Sequence, residues 1–188
     1  DRSAPLPTGG TLEQADGTAW MAFYCQCMVE IALVLADEDP RYEEEAFKFL
    51  QHFMWIAYAM DRIGDHHDEM WDEKDGFFYD VLRLPDGSAL RLKVRSMVGL
   101  LPLCASTIFE PDAVVAHPRL LELIRLFRER HPEVVAHVAP TDEGYVGHGG
   151  RRLLSPLSRE KLERVLRYLV DENEFLGPFG IRSLSRHH

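Results

Sequence analysis

The stretch that most constrains this chain runs from Glu13 to Ile31. There an acidic, glycine-containing turn (Glu13, Gln14, Asp16, Gly17, Thr18) leads straight into aromatic and aliphatic residues. Trp20, Phe23, Tyr24, Cys27, Met28, Ile31 and Leu35 recur at helical spacing, which predicts a helix burying those side chains against its neighbours. Asp16 or Thr18 is placed to cap it. The turn therefore delivers polar groups to a helix mouth, where backbone N–H groups are unpaired and the dipole is positive.

The rest of the chain reads as support for that mouth. Asp39–Pro40 followed by Glu43, Glu44 and Glu45 starts a second helix, with Phe47, Leu50, Met54, Ala57 and Tyr58 inward. The short link predicts an antiparallel helical hairpin. Asp65–Asp80 (DHHDEMWDEKDGFFYD) sets two His among carboxylates, but adjacent His residues lack metal-ligand spacing. It reads as a solvated acidic loop, and neither a metal nor a cofactor is expected. Phe77–Tyr79 and Ala89–Val94, with turns at Asp75–Gly76 and Leu84–Ser88, predict one β-hairpin decorating a helical body. Ser96–Thr107 is nearly all apolar and predicts a short buried helix interrupted by Pro102. Pro118–Arg130 and the segment after Ser158 are amphipathic helices, and the glycine-rich Thr141–Arg152 is a long loop. The fold class expected is mainly all-α with one inserted β-hairpin, a single domain over residues 1–188.

Charge and cysteine usage narrow the function. With 21 Lys and Arg against 31 Asp and Glu, the net charge is −10, which argues against a nucleic-acid binder. No 18-residue apolar run and no signal-peptide pattern is read, so no membrane partner is expected. Cys25 and Cys27 point to different faces of one helix, and with Cys104 they make an odd count. That fits a reducing compartment, and the expected location is cytoplasmic.

Asp16 is the residue singled out for chemistry, with Glu13 and Trp20 near it in sequence. A carboxyl that protonates a glycosidic oxygen needs a partly apolar pocket that raises its pKa. Trp20, Trp71, Phe77, Phe78 and Tyr79 are flat apolar surfaces of the kind on which sugar rings stack. The plainer alternative is that Asp16 is a helix cap and the aromatics are core.

Five stretches carry a resemblance. They are PLPTGGTLEQADGTAWMAFYCQCMVEIALVLA (Pro5–Ala36), WDEKDGFFYD (Trp71–Asp80), RSMVGLLPL (Arg95–Leu103), GGRRLLS (Gly149–Ser155) and DENEFLGPFGIRSLSRHH (Asp171–His188). Together they resemble glycoside hydrolase family 63, which includes processing α-glucosidase I, its bacterial relatives and, more distantly, mannosylglycerate hydrolases. The resemblance implies part of a larger catalytic domain, an (α/α)6 toroid of helical hairpins with the cleft at one end. It implies inverting hydrolysis of α-linked glucosides or related oligosaccharides. Asp16 would be the general acid. Glu13, Trp20, Trp71 and Phe78 would bind the oligosaccharide, and Arg95 or Arg182 would orient cleft carboxylates. The general base would lie beyond His188, so the isolated chain is expected to be inactive. The competing reading is a non-catalytic helical interaction domain. In either case an incomplete domain exposes apolar faces, and homo-oligomerisation through them is expected.

Overall fold

The computed structural model describes residues 4–7, 9–61, 69–110, 112–113, 115–136 and 147–188. A short strand, β1 (Thr11–Glu13), leads into α1 (Ala15–Ala36), and a tight link returns the chain along α2 (Tyr42–Asp61). Asp39 stabilises the link: its carboxylate accepts the Arg41 N–H at 3.1 Å.

What α1 buries is not what the spacing predicts. Ala15, Ala19, Ala22, Cys25, Val29, Ala32 and Ala36 turn inward, while Trp20, Tyr24, Ile31 and Leu35 face outward. The cause is that α1 carries large apolar residues on most of its circumference, so they do not mark the inner stripe. The alanine face lets α2 approach closely. Ala22 and Cys25 pack with Phe53, Met54 and Ala57, and Val29 and Ala32 pack with Ala46 and Leu120. By length and composition α1 would also pass as a membrane-crossing helix, a correction to the absence of such a run expected above.

The expectation of a mainly all-α toroid segment is corrected. Among the described residues 49% are helical and 17% are in strands, arranged as several small sheets. β2 (Trp71–Asp72) pairs antiparallel with β3 (Phe77–Phe78). β4 (Asp80–Arg83) lies between β1 and β5 (Ala89–Leu92) in a three-stranded antiparallel sheet. β6 (Thr107–Phe109) pairs with β7 (Arg152–Leu154), and β8 (Leu176–Gly177) with β9 (Gly180–Ile181). Strands of two to four residues are too short to show alternation, and β1–β4 and β6–β7 join segments far apart in the chain.

Nor is the sheet a decoration on helices. Phe77, Phe78, Tyr79 and Val81 are buried with Trp71, Leu100, Leu157, Val165 and Phe175 in one apolar cluster. Phe77 stacks on Phe175 with ring centroids 5.7 Å apart. Ser96–Thr107 is not an ordinary helix: Met97–Cys104 forms a 3-10 segment containing Pro102, packed between α1 and β3. α5 (Arg159–Val170) closes this cluster, and Ser158 caps it by accepting the Lys161 N–H at 3.4 Å.

α3 (Pro118–Arg130) and α4 (Pro132–Val135) also pack against α2. His117 supplies no side-chain cap to α3. The buried Glu43 of α2 does so instead, accepting the Leu120 N–H at 2.8 Å. A single carboxylate thus caps α3 and fixes it against α2.

Candidate functional site

The candidate site is the N-terminal mouth of α1. Gln14 enters the helix with an extended backbone and no side-chain cap. The cap comes from 65 residues away, where Asp80 Oδ1 accepts the Ala15 N–H at 2.8 Å. The pairing of β1 with β4 sets Glu13 opposite Val81 and so brings Asp80 to the mouth. Asp16 is therefore not the cap. It lies in the first helical turn, partly exposed, and its Oδ1 accepts the adjacent Gly17 N–H at 2.8 Å. Thr18 does not cap either, because its hydroxyl donates to the Gln14 carbonyl at 2.8 Å.

Glu13 is held by Arg83, whose Nε lies 2.6 Å from Oε1. Trp20 is one turn beyond Asp16, on the same side of the helix, and is 53% exposed. It meets Phe23 edge-on at 5.9 Å. Glu13, Asp16 and Trp20 thus share one end of α1, with an aromatic face open beside a carboxylate.

Trp71 and Phe78 do not join them. They are 3% and 2% exposed, their rings are tilted against each other at 4.9 Å, and the expectation that they line a sugar site is corrected. The cations of Lys161 and Arg164 sit over the Trp71 ring at 4.9 and 5.3 Å. Burial and the neighbouring Arg164 charge bring the Lys161 pKa down to about 8. Met70, Trp71 and Asp72 are buried, so this part of the acidic stretch is not a solvated loop. Asp72 accepts Lys93 Nζ at 2.6 Å and Arg91 Nη1 at 2.7 Å, and its Oδ1 accepts the Asp75 N–H at 2.8 Å. Burial alone would raise its pKa. The Lys93 and Asp75 hydrogen bonds, with the charges of Lys93 and Arg91, hold it down at about 2.

The two arginines divide. Arg95 pairs with Glu174 at 2.6 Å and lies over the Tyr168 ring at 4.8 Å. Ser185 Oγ donates to the other Glu174 oxygen. Arg182 instead donates to the main-chain carbonyls of Glu172 at 3.2 Å and Glu174 at 3.4 Å, and to that of Leu176. It stabilises the β8–β9 turn. Glu174 lines a cavity of about 210 Å³ with Asp75, Arg164, Arg167, Tyr168 and Asp171. That is below the usual range of ligand pockets, about 300–1,000 Å³.

Sequence reasoning missed Asp80 and Glu174, because their partners lie 65 and 79 residues away. Among the described residues no group of three or more His, Cys, Asp and Glu side chains is arranged to hold a metal. His66 and His67 lie outside the described residues. The resembling stretches touch one another. Asp80 caps α1, Met97–Cys104 packs on α1 and β3, Arg95 holds Glu174, and Ser96 bridges to Leu184.

No protein-family model matches the chain. The chain is similar to a segment of the uncharacterized protein YMR196W of Saccharomyces cerevisiae, with 43% identity over 200 residues. The match takes in 100% of this chain and 18% of the yeast protein, so the chain spans under a fifth of that relative's length.

Proposed function

We propose that this chain is part of an inverting glycoside hydrolase acting on α-linked glucosides or related oligosaccharides, with Asp16 as its general acid. The observation that carries the reading is the pairing of Asp16, in the first turn of α1, with the exposed Trp20 indole one turn further along the same side. The resemblance of five stretches to glycoside hydrolase family 63, four of them joined by the contacts above, supports it.

In this reading the Asp16 carboxyl gives its proton to the glycosidic oxygen as the bond to the sugar breaks. Trp20 stacks on the apolar face of a sugar ring. Glu13, its carboxylate fixed by Arg83, accepts sugar hydroxyls. Asp80 occupies the Ala15 N–H and holds the mouth in position. Arg95 acts on the protein itself, orienting Glu174. Inversion also needs a base carboxylate about 6.5–9.5 Å from the acid, with water between it and the sugar. By the resemblance to family 63, that base would be carried by sequence beyond His188.

The test is a hydrolysis assay of the full-length protein on a panel of α-linked glucosides and mannosides, wild type beside Asp16→Asn. Turnover is expected to fall by about 100- to 10,000-fold with the circular dichroism spectrum unchanged. Unchanged turnover would remove Asp16 from the chemistry.

A further inference from the structure

Trp71 is buried, and two cations share its ring. Lys161 Nζ lies 4.9 Å from the ring centroid, and the Arg164 guanidinium carbon lies 5.3 Å from it. The two residues are three apart in α5, a spacing that sets their side chains next to each other on the helix surface. Arg164 is tied in this place. Its Nη1 lies 2.5 Å from Glu73 Oε1, and its Nη2 donates to the Glu73 carbonyl. Trp71 Nε1 donates to the other Glu73 oxygen at 2.6 Å. A fixed guanidinium thus stands beside an amine seated on a buried indole.

The carboxylates nearby do little to offset this crowding. The Glu73 and Glu160 side chains are 73% and 80% exposed, so water screens them. Asp72 and Asp75, in the turn that carries Trp71, are both engaged by Lys93, and Asp72 also by Arg91. The indole face favours a cation. Loss of water and the Arg164 charge outweigh it and bring the Lys161 pKa down to about 8. Lys161 is still partly exposed, so a small reagent can reach Nζ. The other lysines stand differently. Lys48 is paired with Glu45, Lys93 with Asp72 and Asp75, and Lys74 is exposed to solvent. An amine attacks an acyl carbon only in its unprotonated form, and desolvation beside another cation is a recognised way to supply that form.

We propose that Lys161 is an acylation site, taking the acyl group of a small acyl phosphate at its seat beside Trp71 and Arg164. The neutral Nζ attacks the carbonyl carbon. The C–N bond forms as the bond from that carbon to the phosphate oxygen breaks, and the proton lost by the nitrogen leaves with the released phosphate. The product is an uncharged amide, which ends the repulsion from Arg164. The inference stands independently of any catalytic role for Asp16.

The test incubates the 188-residue chain with acetyl phosphate at about pH 7.5 and follows acetylation of each lysine over time by peptide mass spectrometry. Lys161 is expected to react about tenfold faster than Lys74 in the folded chain, and at a similar rate to it in urea, where the seat is lost. Across a pH series the Lys161 rate should level off with a midpoint of about 8, while that of Lys74 goes on rising to about 10. Equal rates at the two lysines in the folded chain, or a Lys161 midpoint like that of Lys74, would overturn the proposal. Arg164→Gln, with folding checked by circular dichroism, is expected to move the Lys161 midpoint upward and slow its acetylation several-fold at about pH 7.5. An unchanged midpoint in the folded variant would overturn the part given to Arg164. Should that variant fail to fold, the wild-type pH series decides by itself.

Discussion

Asp72 shows how one buried charge is held in this protein. Its carboxylate accepts from Lys93, Arg91 and the Asp75 main chain, and these outweigh burial to set its pKa at about 2, below the ordinary 3.8. A carboxyl depressed in this way stabilises the folded state fully above its unfolded pKa, and the contribution is lost as pH falls through the folded value. The window therefore runs from 3.8 down to about 2. Asp72→Asn is expected to lower the Tm at pH 7, by about 1–3 kcal/mol of stability, because Arg91 and Lys93 lose their charged acceptor. It should also flatten the pH dependence of thermal unfolding across that acid window. A wild-type slope in the variant would assign the acid transition to another group. Lys161 has the opposite logic. With its pKa lowered to about 8 from 10.5, its burial costs stability at neutral pH, and that cost disappears as pH rises through this interval. The D-x-x-D-G pattern at Asp72–Gly76 is readable as a turn. The identity of the cations that meet Asp72 is not, because they arrive from β5 and the residue after it.

At the scale of elements, the 3-10 segment Met97–Cys104 packs against both α1 and β3. Its apolar run and Pro102 are legible in the sequence, and so is its burial. Its tight path is a consequence of contact. Gly99 lies so close to β3 that an added Cβ would fall inside van der Waals range of the Phe78 carbonyl and the Phe77 ring. Gly99→Ala is therefore expected to destabilise by about 1–3 kcal/mol, read from urea unfolding with an unchanged m-value. A loss of only a few tenths would mean that the segment shifts freely against the strand. The same contact explains why the Phe77–Tyr79 stretch is core: it is covered by the 3-10 segment and closed by α5 and Phe175.

The whole molecule presents one side of α1 to solvent and carries, in the proposed reading, one carboxyl of a pair that works only together. The purified 188-residue chain is expected to show no turnover on α-linked glucosides above that of a heat-denatured control. Turnover that vanishes with Asp16→Asn would overturn the need for a base outside these residues.

The sequence by itself determined the local elements: two long helices with their link, the Leu84–Ser88 hairpin turn, the amphipathic α3 and α5, and the placing of Asp16 and Trp20 at a helix mouth. These depend on propensity, turn chemistry and capping within a few residues. Tertiary structure decided which side of α1 is buried, since a helix with large apolar residues on most of its circumference carries no clear periodic mark of its inner face. It decided that Asp80 caps α1 and Glu43 caps α3, that Arg95 holds Glu174, and that Trp71 and Phe78 are core. Each of these turns on segments brought together from far along the chain, where no local spacing records the partner.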